Sequence, residues 1–175
     1  MYGVEPVVEL VTEIDRRLKK MNLPFEYRTM LCGAEEASLY PALSKEGLIK
    51  SGRSVEIFDT IVCIRVLCSV PHPQKTIDGL YALLKPGGKM LIVEHVCNPW
   101  TKKTGSILAR IMQSVYTFLG WSYFIGECRL TRDTESMLIA AAKKNGGWAK
   151  SDIQGHFERT AMPHICGTLA KKGNA

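Results

Sequence analysis

The feature that most constrains this chain is a repeated change of hydrophobic period. Short apolar runs rich in Ile and Val alternate with stretches whose apolar residues recur every three or four positions. "YGVEP" (2–6) reads as a short strand end, and in residues 7–21 Val7, Leu10, Val11, Ile14 and Leu18 predict an amphipathic helix, with Pro6 suited to its first position. "FEYRTML" (25–31) is strand-like and is left through the glycine turn "CGAEEA" (32–37). A weaker helix is expected over about 37–48, and "KSGRS" (50–54) reads as a loop. "EIFDTIVCIRVL" (56–67) is a nearly continuous apolar run, as expected of a strand covered on both faces. "QKTIDGLYALLK" (74–85) restores the helical period, and "KMLIVEHV" (89–96) predicts another buried strand. The order is β-α-β-α-β-α-β, which requires a mostly parallel sheet with covering helices.

Beyond it, 104–119 predicts an apolar helix and "TRDTESMLIAAAKKNGG" (131–147) another. The second starts at Thr131 or Asp133 as a cap and ends at Gly146-Gly147. "DIQGHFER" (152–159) and "HICGTLAKK" (164–172) predict a closing pair of strands, antiparallel to each other. No linker or internal repeat interrupts the chain, so residues 1–175 read as one α/β domain.

Composition removes several function classes. No window approaches the roughly 18 consecutive apolar residues of a membrane span. The first residues carry acids and no basic region, unlike a secretory signal. The most membrane-like piece, 107–124, is interrupted by Arg110 and Gln113 and suits an amphipathic helix. The net charge of +6 comes largely from scattered pairs such as Lys19-Lys20 and Lys171-Lys172. These read as solvated helix ends and tails, and no aromatic-interleaved basic stripe supports nucleic-acid binding. Six cysteines lie far apart without a Cys-x-x-Cys pair, which predicts a reduced, cytoplasmic protein. None of the four histidines joins a cysteine at a zinc-site spacing, so no metal site is expected.

An open parallel sheet places its ligand beyond the carboxyl ends of its strands. Glu5 ends the first strand there, either as an acceptor for ribose hydroxyls or as an ordinary carboxylate at a helix N-terminus. Gly33, Ala34 and Glu35 form the next turn, able to read an adenine edge or simply to lead into a helix. Arg65, Val66 and Leu67 leave the third strand at the same end, where their backbone can line a cofactor pocket. Glu94 to Asn98 follow the fourth. Asp59 opens the third strand and reads as structural. In "LLKPGGKMLIVEH" (83–95), Pro86 is expected to stop the helix, with Gly87 and Gly88 turning the chain. A phosphate-cradling loop must follow a strand and open a helix, whereas this corner precedes a strand. It is structural.

Taken together, an Asp-initiated apolar strand, a helix, "LLKPGG" and a second apolar strand resemble the second half of a class I S-adenosylmethionine-dependent methyltransferase. "YGVEP" resembles that fold's second strand with its ribose-binding acid, and "CGAEE" its adenine-binding turn. "IVEHV", "GECRLTRDTESML" (126–138) and "PHICGTLAKK" (163–172) are similar to the late segments of the methyltransferase-like thiol S-methyltransferase group. The resemblance runs from Tyr2 to Lys172. It implies an incomplete Rossmann-like class I methyltransferase sheet, mostly parallel, with an antiparallel C-terminal strand pair. The family's first strand and its Gly-x-Gly-x-Gly loop have no counterpart, so the chain is expected to be N-terminally truncated, with a gap that a second copy or a partner protein completes.

The resemblance implies S-adenosylmethionine as cofactor, bound by Glu5, Gly33, Ala34, Glu35, Arg65, Val66 and Leu67, and a small apolar acceptor, by the subgroup resemblance a thiol. His95 is the catalytic candidate, as a base or positive neighbour of that thiol, against the alternative of a hydrogen-bonded residue closing its strand. Arg132 and Asp133 are expected to cap a helix and brace a lid. Residues 107–124 read as that lid, or as a core or oligomer-facing helix. A catalytically inactive relative acting through a partner is the alternative function. A nicotinamide-dependent enzyme fits "LKPGG" and "GAEE" less well.

Overall fold

The structure is a computed structural model that describes residues 1–49 and 55–173. The loop expected at 50–54 lies outside the described residues. The chain divides into two compact units, Met1–Ser54 and Val55–Ala175.

In the first unit, β1 (Tyr2–Glu5) and β2 (Arg28–Leu31) pair in parallel, from Tyr2 opposite Arg28 to Glu5 opposite Leu31. The crossover between them is α1 (Val8–Leu18), which begins after an extended Val7, so Pro6 precedes the helix rather than opening it. Glu13 accepts from both Arg16 and Arg17 at 2.6 Å on the solvent side of α1. The Thr29 hydroxyl donates to Asp15 at 2.7 Å and ties β2 to the helix. After the glycine turn, α2 (Glu36–Lys45) buries Leu39 and Leu43, one turn apart on one face.

The second unit contains β3 (Phe58–Ile64), α3 (Pro73–Leu83), β4 (Leu84–His95), α4 (Ile107–Phe118), α5 (Trp121–Phe124) and α6 (Thr134–Ala141). A short 3-10 turn over Lys143–Asn145 leads to β5 (Lys150–His156) and β6 (His164–Ala170). The sheet order is β3-β4-β6-β5. β3 is parallel to β4, while β6 runs antiparallel to both of its neighbours. Three of the four strands therefore share one direction, and the closing pair is antiparallel as expected. The core lies on one face of this sheet, where Ile77, Leu83, Met90, Ile92, Leu130, Leu138 and Leu169 are buried.

The other face departs from expectation. β3 is not covered on both sides: Cys63 is buried, but Val62 is 47% and Ile64 60% exposed. Leu91 and Val93 of β4 sit in register with them and are exposed as well. A continuous apolar run records what a strand is able to bury, and here only alternate residues find a layer to pack against.

The Pro-Gly-Gly corner is also placed differently. α3 ends at Leu83, three residues before Pro86, and the corner lies inside β4 as an irregularity between the Phe58–Leu84 and Thr60–Lys89 pairings. Gly87 has φ +76°, and a Cβ on Gly88 would meet the Lys85 carbonyl oxygen at 2.8 Å. Both glycines are therefore required by backbone geometry. α6 is shorter than its pattern, ending at Ala141, and the chain turns at Gly146 and Gly147 with positive φ. Among the described residues no helix is long and apolar enough to cross a membrane.

Candidate functional site

The candidate residues lie at the carboxyl ends of two separate strand pairs. In the first unit, Glu5 ends β1 and its Oε1 accepts the Val7 N–H at 3.0 Å. Just past β2, the Gly33 N–H donates to the Ser38 hydroxyl at 3.0 Å. The Glu35 carboxylate folds back over Gly33 so closely that a Cβ there would collide with it. Glu35 itself is the extended residue preceding α2, with no side-chain cap.

In the second unit, β3 ends in a sharp turn because Arg65 adopts a left-handed conformation, φ 55°. That reversal aims three successive backbone N–H groups at one carboxylate. Val66, Leu67 and Cys68 donate to Glu94 at 2.9, 3.0 and 3.2 Å. Glu94 is fully buried; burial pushes its carboxyl pKa up, and the three amides pull it back. This is an anion nest filled by the protein's own side chain. The amides of Val66 and Leu67 are thus committed internally, and so is that of Arg65, which donates to Val93 at 2.8 Å. Arg132 completes the clamp, its Nη1 donating to the Leu67 and Val70 carbonyls at 2.5 and 2.9 Å. Asp133 caps α6 by accepting from Ser136.

His95, the last residue of β4, is buried against Cys128, with Nδ1 3.2 Å from Sγ. Its ring packs edge-on against His164 with centroids 4.1 Å apart. Cys68, His95 and Cys128 are all buried, and one ligand atom of each lies within 4.8 Å of the others. Hydrogen bonding from the Cys68 thiol, together with the nearby Trp121 N–H, pulls Cys128 down to about 7 against the opposing effect of burial. The Cys68 thiol is pushed up as the donor of that pair and by burial. Trp121 Nε1 is buried and, among the described residues, meets no partner at hydrogen-bond geometry.

A cavity of about 980 Å³, which reaches the cluster through His164 and its ring contact with His95, is lined by Val96 to Lys102, residues of α6, and His164 and Ile165. Asn98, one of its lining residues, is braced by Gln113. Gln113 accepts from the Asn98 N–H at 2.8 Å and donates to the Val96 and Leu130 carbonyls. The outer side of α4 and α5 is apolar and open, with Phe118 90% exposed.

Sequence reasoning brought out His95 and the ends of the strands. It missed Cys68 and Cys128 as partners of that histidine, and it gave Glu94 no role. No local spacing signals these pairings, since Cys128 lies 33 residues from His95 and Cys68 lies 26 residues from Glu94.

A methyltransferase-domain family model matches residues 1–152. The chain is 34% identical over 76 residues to thiol S-methyltransferase TMT1B of Rattus norvegicus, a match covering 43% of this chain and 29% of the relative. It is 29% identical over 121 residues to thiol S-methyltransferase TMT1A of Homo sapiens, covering 65% of this chain and 43% of that one. The matched stretch therefore spans less than half of either relative. A crystal structure of a SAM-dependent methyltransferase from Methanosarcina mazei superposes with a TM-score of 0.57 at 14% identity, over 99% of this chain and 82% of that one.

Proposed function

We propose, from the premise that the chain belongs to the methyltransferase-domain family, that it transfers the methyl group of S-adenosylmethionine to the sulfur of a small apolar thiol. The family match carries this reading, because it spans the strand ends at Glu5, Gly33 to Glu35, Arg65 to Leu67, and Glu94-His95. The two thiol S-methyltransferase relatives support the choice of sulfur.

Bound S-adenosylmethionine supplies an electrophilic methyl on a sulfonium. The acceptor sulfur would take that methyl as its bond to the sulfonium breaks, with S-adenosylhomocysteine as the leaving group and the thiol proton passing to His95. The residues of the first unit fit the nucleoside end. Glu5 uses Oε1 for Val7 and retains Oε2 for a ribose hydroxyl. Because Gly33 gives its amide to Ser38, the amides of Ala34 and Glu35 are the ones that meet an adenine edge. In the second unit, Arg65, Val66 and Leu67 act as a rigid wall rather than as N–H donors, since their amides are already used. His95 accepts the hydrogen bond of the acceptor thiol, and the cavity lined by its chain neighbour Val96 and its ring partner His164 houses the acceptor's apolar body.

A second reading, association with a partner protein in place of catalysis, is favoured by one observation: the open apolar face formed by Val62, Ile64, Leu91 and Val93. One experiment separates the two. S-adenosylmethionine is titrated calorimetrically into the 175-residue protein, which is then incubated with alkyl thiols, alcohols and amines and assayed for methylated product. Binding heat and a methyl thioether support the first reading. No heat at millimolar cofactor removes it, and methylation confined to alcohols or amines removes the thiol.

A further inference from the structure

We propose that Cys68, His95 and Cys128 form a binding site for a thiophilic divalent cation of the zinc class, held by two sulfurs and one imidazole nitrogen. The three donors come from different elements: the turn after β3, the end of β4 and the segment after α5. His95 Nδ1 and Cys128 Sγ are 3.2 Å apart, and all three donor atoms lie within 4.8 Å of one another. Tetrahedral zinc with Zn–S near 2.3 Å and Zn–N near 2.0 Å separates its donors by about 3.5–3.8 Å. The cluster therefore needs only side-chain adjustments of an ångström or less on that scale.

The backbone already holds the donors in place. The Cys68 N–H is fixed by Glu94, and the Cys68 carbonyl accepts from the Arg129 N–H at 3.0 Å. That second bond ties the Cys128 segment to the Cys68 turn. Gly126 and Glu127 both have positive φ, 55° and 63°, and the Cys128 N–H returns to Ile125 at 3.1 Å. His95 is locked by β-pairing opposite His164. A site whose ligands are prearranged loses little order on taking up an ion.

Donor chemistry narrows the cation. Two sulfurs and an imidazole suit zinc and its soft neighbours, and they reject magnesium and calcium, which require oxygen. Two thiolates offset a divalent charge, so the loaded cluster is close to neutral in its buried setting. Three protein ligands leave a fourth position for water or an added thiolate. With the ion bound, the imidazole is a ligand, so the contact of His95 with the acceptor belongs to the metal-free protein. The inference stands apart from methyl transfer, and its readouts involve no cofactor.

The test uses the full chain, reduced and stripped with a chelator, then titrated with Co²⁺ and back-titrated with Zn²⁺. Expected are a thiolate-to-cobalt charge-transfer band saturating at one equivalent, its loss when zinc is added, and a rise in thermal midpoint with zinc. Cys68→Ser, Cys128→Ser and His95→Ala each weaken binding by at least about tenfold, while Cys63→Ser and Cys97→Ser leave it unchanged. Should a variant unfold, the wild-type chain answers alone: in urea sufficient to expose Cys68 and Cys128 of the metal-free chain, zinc slows their alkylation, with Cys97 as the internal control. The proposal is overturned by the absence of a band, by a band that survives Cys68→Ser and Cys128→Ser, or by binding that follows Cys166 and His156, whose Sγ and Nε2 lie 2.9 Å apart, instead.

Discussion

Glu94 does its work by being surrounded. Three amides point at it because Arg65 turns the chain through a left-handed step, and the carboxylate is fully buried. Glu94→Gln keeps one acceptor oxygen but presents an N–H₂ group to one amide, and it is expected to lower unfolding stability by about 1–3 kcal/mol in a urea melt. Glu94→Ala, which strands all three donors, costs more. A second prediction concerns Glu13, whose carboxyl is held down at about 2, from an ordinary 4.5, by Arg16 and Arg17. A depressed carboxyl contributes stability above its unfolded value, and that contribution is lost as pH falls from about 4.5 through about 2. An NMR titration of the Glu13 carboxyl should show this low midpoint, moving upward in high salt because the group is exposed. Such residues differ in how legible they were. The charge pair Lys171-Lys172 looked solvated, yet Lys171 is buried, with Nζ 2.8 Å from Glu56 and 2.7 Å from the Leu84 carbonyl. Nothing within a few positions of Lys171 announces a partner 115 residues away.

At the level of elements, α4 is turned the unusual way round. Its inward face carries Ala109 and Gln113, while Ile107, Leu108, Ile111, Val115 and Phe118 face out. Gln113 therefore anchors the helix through polar bonds to Asn98, Val96 and Leu130 rather than through apolar packing. Gln113→Ala is expected to cost about 1–3 kcal/mol, because it leaves buried backbone groups unmatched, and hydrogen exchange should speed up at the Asn98 amide. The sequence showed that 107–124 is not a membrane span, for Arg110 and Gln113 interrupt it, but periodicity alone does not say which face turns inward. Element type was legible where the period was sustained, as in α1, α3 and β4. Boundaries were less so. The Pro-Gly-Gly corner was correctly read as structural, but it lies inside β4, because a ladder irregularity depends on the partner strand and not on local residues.

For the whole molecule, the alternation of periods was enough to predict the α/β class, the parallel pairings and the antiparallel closing pair. What it did not contain was which sheet face would find a cover. The open face in the second unit makes a direct prediction. Ile64→Lys should leave the unfolding midpoint within about 0.5 kcal/mol of the parent and reduce binding of an apolar dye, since Ile64 is 60% exposed. A large loss of stability would mean that this side chain packs against a layer after all. The strand order carries a last consequence, for synthesis in the cell. β6 follows both β4 and β5 in the chain yet lies between them in the sheet. A ribosome therefore delivers both neighbours before the strand that joins them exists. Until residues 164–170 emerge, β4 presents an open edge and β5 has no partner, so nascent chains stalled short of residue 164 should remain protease-sensitive and chaperone-bound. Those released beyond residue 170 should become resistant in a single step.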